Sequence, residues 1–90
     1  PKDSASIGRD PRSDVPFDNE RDTVVSHRHA ELSVENGSLR LKDLGSRNGT
    51  FVNQRRLNGP TIVTPSDVIG FGPGGPEIQA FLESLDTPIL

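Results

Sequence analysis

Three short polar clusters in this 90-residue chain carry side chains able to grip a charged group: Gly8-Arg9, then Ser26-His27-Arg28-His29, then Gly45-Ser46-Arg47-Asn48-Gly49-Thr50. Arg9 and Arg47 are permanent cations, Ser26 and Ser46 are small hydroxyls, and Asn48 both donates and accepts. The glycines among them permit tight turns rich in N–H donors. A dianionic phosphate, with three acceptor oxygens, suits such a donor set. The same types also fit solvated surface charges beside a plain Asn48-Gly49 turn, and residue type alone does not choose between the two. One bias bears on the choice: eight of the ten basic residues are Arg and two are Lys. Arg offers a flat fork of donors that meets two oxygens at once, which favours local oxyanion contacts over a diffuse positive field.

Other chemistries fit these residues less well. His27 and His29 alternate along a strand end and so face opposite ways, with no third ligand nearby; no metal is expected. Ser26, His29 and an Asp could be assembled on paper into a hydrolytic triad. The G-x-S-x-G elbow that would present the serine is missing, so no enzymatic activity is expected. Gly70-x-Gly72-x-Gly74-Gly75 is not followed by Lys-Ser/Thr and reads as a turn, which leaves no cofactor to expect. Asn48-Gly49-Thr50 matches a glycosylation sequon, which is expected to have no consequence because Pro1–Ser6 does not read as an export signal.

Thirteen acids against ten bases give a net charge of −3 and a pI near 5.2, opposite to the bias of a nucleic-acid binder. Arg9, Arg12, Arg28, Arg47, Arg55 and Arg56 would show DNA binding, if they had it, as a steep salt dependence. No apolar run approaches the roughly 18 residues that could span a bilayer, and Pro1–Ser6 has no hydrophobic centre. The expected setting is cytoplasmic, with no membrane contact. The absence of Cys excludes a disulfide framework.

What must position the clusters is a set of short strands. Nine Gly and eight Pro punctuate the chain between apolar triplets, and no window keeps helical periodicity. The best-defined element is a hairpin over Ala30–Asp43, turning at Asn36-Gly37 in type I′ geometry. Pairing Glu35 with Ser38 sets Val34 opposite Leu39 and Leu32 opposite Leu41 on one face. Ser33 then meets Arg40, and Glu31 meets Lys42, on the other. Further strands are expected at Val15–Phe17 (an edge, since Pro16 cannot donate to a ladder), Thr23–Val25, Thr50–Val52, Thr61–Val63, Val68–Phe71 and Ile78–Leu82. The fold class is all-β, a two-sheet sandwich of short, mainly antiparallel strands.

Taken in order, Ile7-Gly8-Arg9, Val25-Ser26-x-x-His29-Ala30, Asp43-Leu44-Gly45-Ser46-Arg47-Asn48-Gly49-Thr50-Phe51-Val52-Asn53 and Ser66-Asp67-Val68-Ile69-x-Phe71-Gly72 resemble the forkhead-associated (FHA) domain. The resemblance implies a β-sandwich that recognises phosphothreonine in partner proteins phosphorylated by a Ser/Thr kinase. It implies that Arg9 holds the phosphate, that Ser26 donates its hydroxyl to it, and that Asn48 binds the peptide main chain on either side. His27 and Arg47 match loop positions that contact phosphate in the family. Gly8 and Gly49 look like backbone requirements. His29 is expected as an internal brace whose ring nitrogens tie two binding loops together.

The family carries a strand before the Gly-Arg pair, whereas Pro1–Ser6 shows no apolar alternation. Residues 1–6 are therefore expected as a disordered or truncated lead-in, 7–83 as the domain and 84–90 as a linker. A missing first strand would leave a sheet edge open to Ile89-Leu90 or to a neighbouring chain, and so to self-association. The alternative of another class is a phospho-independent scaffold or dimerisation domain on the same sandwich. Thr87-Pro88 offers a phosphoacceptor that the domain could bind in cis or in trans.

Overall fold

Alternation in the Leu-rich stretch after His29 dictates the central hairpin. The computed structural model describes residues 3–80, and in it β3 (Ala30–Glu35) and β4 (Ser38–Asp43) pair antiparallel in the register read from the sequence, Glu35 opposite Ser38 through Ala30 opposite Asp43. Asn36 and Gly37 take φ of 52° and 78°, the left-handed pair that a two-residue I′ turn demands. Leu32, Leu39 and Leu41 are buried, while Val34, nearer the turn, remains exposed. On the solvent face the ion pair is Arg40 with Glu35, at 3.4 Å.

Around this hairpin the first sheet runs β2-β1-β3-β4-β7, with β1 at Ser4–Gly8, β2 at Val15–Pro16 and β7 at Thr61–Val63. The second sheet runs β6-β5-β8-β9, with β5 at Thr50–Val52, β6 at Arg55–Arg56, β8 at Ile69–Phe71 and β9 at Glu77–Ile78. Ile7, Leu32, Leu41 and Val63 from the first sheet share one core with Ile69 and Phe71 from the second. Phe71 sits at its centre, 5.2 Å from the Phe17 ring and 5.3 Å, edge to face, from the His29 ring. The all-β sandwich expected from the punctuation is the fold observed, and β2 is the edge strand that Pro16 requires.

Three expectations are corrected. Residues 4–6 are not a disordered lead-in: they open β1, paired from Ser4–Ser33 to Ile7–Ala30. No apolar alternation marks this strand because Ile7 is its one deeply buried large side chain. Its outer residues are fastened by polar bonds instead, Ser6 N–H and Oγ donating to Asp14 Oδ2 and Asp14 N–H to Ser6 Oγ. The strand before Arg9 is thus present, between β2 and β3.

Thr23–Val25 is a turn and not a strand. The carbonyls of Val24 and Val25 accept from the side chains of Asn48 and Arg9, so this segment's acceptors serve side chains and not a ladder. At the other extreme, β6 has no apolar signal. It follows β5 through Asn53 and Gln54, both left-handed at φ 50° and 71°. Strand β9 covers Glu77–Ile78; residues 81–82 of the expected Ile78–Leu82 strand, the expected linker and Thr87-Pro88 lie outside the described residues.

Candidate functional site

The end of the sandwich where β1, β3 and β4 meet their loops gathers all three polar clusters. Strand β1 delivers Arg9 there because its last residue is glycine: a Cβ on Gly8 would stand 2.0 Å from the His27 carbonyl oxygen, so any other residue would push the two segments apart. With that close approach allowed, Arg9 N–H donates to Ser26 O at 3.1 Å and Asp10 N–H to His27 O at 3.2 Å. Arg9 is half-buried. Its Nε donates to Val25 O, and its Nη1 to Asn19 O at 3.1 Å and Asn19 Oδ1 at 2.8 Å. Among the described residues, Nη2 has no partner.

The third cluster is shaped by Asp43, the last residue of β4. Its Oδ2 accepts the N–H groups of Gly45 and Ser46, each at 2.9 Å, and its Oδ1 accepts the hydroxyls of Ser46 at 2.5 Å and Thr50 at 2.6 Å. Ser46 Oγ in turn accepts Gly49 N–H at 2.9 Å, which closes the loop upon itself. Burial alone would raise the Asp43 carboxyl. The donors from Ser46, Thr50 and Gly45 outweigh it and hold the group below its ordinary value.

The loop so formed presents Arg47 and Asn48 to the second cluster. Arg47 N–H donates to Ser26 Oγ at 3.0 Å, and Asn48 Nδ2 donates to Val24 O at 2.8 Å. The Ser26 proton and Asn48 Oδ1 stay uncommitted among the described residues. His29, fully buried, joins the two loops from beneath: Nδ1 accepts Ser26 N–H at 3.0 Å, and Nε2 lies 2.8 Å from Gly49 O. A backbone N–H only donates and a carbonyl only accepts, so the ring is neutral with its proton on Nε2. Burial lowers the His29 pKa, against smaller opposing effects of the Gly49 carbonyl and Asp43.

Arg9, Ser26, Arg47 and Asn48 are therefore fastened to one stretch, residues 24–26, with Gly8, His29 and Gly49 supporting it. His27 stands apart from this network. It is exposed and lies near Asp10, whose carboxyl is held down to about 2, chiefly by the hydrogen bond from Arg12, with a small contribution from His27. Two contributors escape residue-type reasoning: Asn19, which orients Arg9, and Asp43. The signal for Asp43 lies in the sequence, since Asp followed by Leu-Gly-Ser is an Asx-turn pattern in which the carboxylate accepts N–H groups two and three residues on.

A family model described as FHA domain matches residues 5–72. The glycogen accumulation regulator GarA of Mycolicibacterium smegmatis is 38% identical over 65 residues, which are 72% of this chain and 39% of that protein. The chain thus spans about two fifths of the length of this curated relative. A structure from a study of phosphothreonine-dependent FHA domain interactions superposes with a TM-score of 0.78 at 32% identity, covering 94% of this chain and 82% of the other. The N-terminal FHA domain of Saccharomyces cerevisiae Rad53p, solved in complex with a phosphothreonine peptide, superposes with a TM-score of 0.68 at 30% identity, over 79% of this chain and 57% of that one.

Proposed function

The chain belongs to the FHA-domain family, and from that membership we propose that it binds phosphothreonine-containing segments of partner proteins and has no catalytic activity of its own. The observation that carries the reading is that Arg9, Ser26 and Asn48 converge on residues 24–26 while Arg9 Nη2, the Ser26 hydroxyl proton and Asn48 Oδ1 have no partner among the described residues. In this reading Arg9 and Ser26 take the phosphate oxygens, and Asn48 takes the peptide main chain. Arg47 and His27 flank them, and His29, Gly8 and Gly49 hold the loops in place.

Phosphorylation is the switch. It adds a charge of about −1.5 to −2 and three acceptor oxygens where the hydroxyl offers neither. A Ser/Thr kinase upstream and a cytoplasmic setting belong to the same reading, as does recognition of protein and not nucleic acid. Support for the regulatory sense comes from the similarity to a regulator.

A hydrogen bond to a charged group contributes roughly 1.5–3 kcal/mol, so Arg9→Ala should weaken phosphopeptide binding by about one to two orders of magnitude with the fold retained. Titration of a phosphothreonine peptide library and its unphosphorylated counterpart, against wild type and Arg9→Ala, tests this. Selectivity for the phosphorylated form that disappears in Arg9→Ala supports the reading. Equal binding of both forms would favour the scaffold alternative, and equal binding by both proteins would remove Arg9 from the site.

A further inference from the structure

A further cation reaches the same loop from a strand that the site described so far does not use. Strand β6 pairs with β5 so that Arg56 lies opposite Phe51, and Leu57 N–H donates to Thr50 O at 2.8 Å. This register runs the Arg56 side chain back along the start of β5 toward Gly49. A Cβ on Gly49 would stand 2.7 Å from Arg56 Nε, 3.0 Å from Cζ and 3.3 Å from Nη2, so the guanidinium occupies the space that a side chain at this position would fill. Gly49 therefore does two things: it takes φ +88°, and it leaves room for the Arg56 head.

Arg56 is exposed, and among the described residues its side chain has neither a hydrogen bond nor an acidic partner. Three other arginines have partners, and Arg56 differs from the remaining unpaired ones in where its head lies, against Gly49. Arg12 is paired with Asp10, and Arg40 with Glu35. Arg9 is committed to Val25 and Asn19 through Nε and Nη1. A planar guanidinium fork lying against Gly49, the chain neighbour of Asn48, is matched to an anion with two oxygens in one plane. Residues of an extended peptide advance about 3.3 Å each, so a group bound there would belong to a position a few residues from the phosphothreonine.

We propose that Arg56 is a specificity-determining residue of the phosphopeptide site, binding an acidic group that flanks the phosphothreonine. The proposal rests on the phosphothreonine reading above. The shared chemistry is an oxyanion, supplied by an Asp or Glu carboxylate or by a second phosphoryl group.

The test is a set of phosphothreonine peptides in which each flanking position is in turn alanine, Glu or phosphoserine. Each is titrated against wild type, Arg56→Gln, Arg56→Lys and the control Arg55→Gln, whose side chain leaves β6 on the opposite face. At one position the acidic peptides should bind wild type about two- to fivefold tighter than the alanine peptide. The gain should vanish in Arg56→Gln, return in part in Arg56→Lys and persist in Arg55→Gln, while the alanine peptide binds all four alike. A larger gain from phosphoserine than from Glu identifies a second phosphate as the ligand, and equal gains identify a carboxylate site. Phospho-dependent binding with no acidic preference, or with one that survives Arg56→Gln, overturns the role of Arg56 alone. Absence of phospho-dependent binding to every peptide overturns it together with the reading beneath it.

Discussion

The β3–β4 hairpin and the loop end beside it are neighbours held together on different principles. In the hairpin, specificity is spread over a ladder of six paired positions and a row of buried leucines, with one exposed ion pair on the outside. Each cross-strand pair adds a modest increment to the whole. At the loop end the backbone abandons the ladder: the carbonyls of Val24, Val25 and Gly49 and the N–H groups of Ser26, Gly45, Ser46 and Arg47 are paired with side chains. A few polar groups, above all His29 and Asp43, each satisfy two or more partners. Order resting on so few groups fixes donors accurately, but it concentrates the consequences of a single change or a single proton.

The sharpest way to expose that contrast is His29→Ala. It removes a fully buried ring, strands Ser26 N–H, leaves Gly49 O with the Gly72 N–H as its one donor, and deletes the edge contact with Phe71. Cavity formation and one unpaired polar group together should cost about 3 kcal/mol, read as a lower urea midpoint. Phosphopeptide binding should fall as well, because the loops carrying Ser26 and Asn48 lose their common support. A loss of under about 0.5 kcal/mol, the usual range for an exposed substitution, would erase the distinction between the two regions.

A proton acts on the same brace. Protonated His29 has no lone pair for Ser26 N–H, and burial sets its folded-state pKa below the ordinary 6.5. The folded protein therefore binds this proton less tightly than the unfolded chain. Its contribution to stability is complete above pH 6.5 and declines as the pH falls through that value toward the folded pKa. Asp43 has the acidic counterpart. Its lowered pKa gives stability that is present above about pH 4 and lost below, a limb shared with Asp10, Asp18 and Asp67, whose carboxyls are also held low by hydrogen bonds. Unfolding free energy against pH should show two descents. His29→Ala should lose the one just below 6.5 and keep the acid limb; a wild-type profile flat between 5 and 7 would break the assignment.

These two modes of construction also differ in how far they can be read from residues alone. The hairpin is legible to the single pair because a slip by one residue would turn Leu32, Leu39 and Leu41 outward, and Asn36-Gly37 leaves one turn type open. Strand β1 is not, since its pairing is fixed by main-chain bonds to β3 and by Ser6 with Asp14, neither of which leaves an apolar period. The three polar clusters are visible as residue types, and their order carries the family resemblance. That they meet on residues 24–26 is not visible, because side-chain capture of the Val24 and Val25 carbonyls turns two β-branched residues, favourable in a strand, into a turn. Arg56 escapes for a related reason: its reach to Gly49 depends on a β6 register with no apolar signal.

The smallest test compares two glycines in similar conformations, one in each region. Gly37 takes φ +78° at the hairpin tip, and a Cβ there would meet nothing within 4 Å, so Gly37→Ala meets backbone strain alone and should cost about 1 kcal/mol. Phosphopeptide affinity should not change, because the strain is confined to the turn between β3 and β4. Gly49 takes φ +88°, so Gly49→Ala carries comparable strain, and its new methyl group must also displace the Arg56 guanidinium 2.7 Å away. That head is the free end of an exposed side chain and can move aside, so the stability cost should stay within about 1 kcal/mol of the Gly37 value. Binding is where the pair should separate: Gly49→Ala disturbs the loop carrying Asn48 and shifts Arg56, so affinity falls with acidic peptides above all. Thermal denaturation beside peptide titration of both variants reads the two effects apart. Equal stability losses with unequal affinities would show that the loop end uses its glycine for recognition and the hairpin uses its glycine for folding.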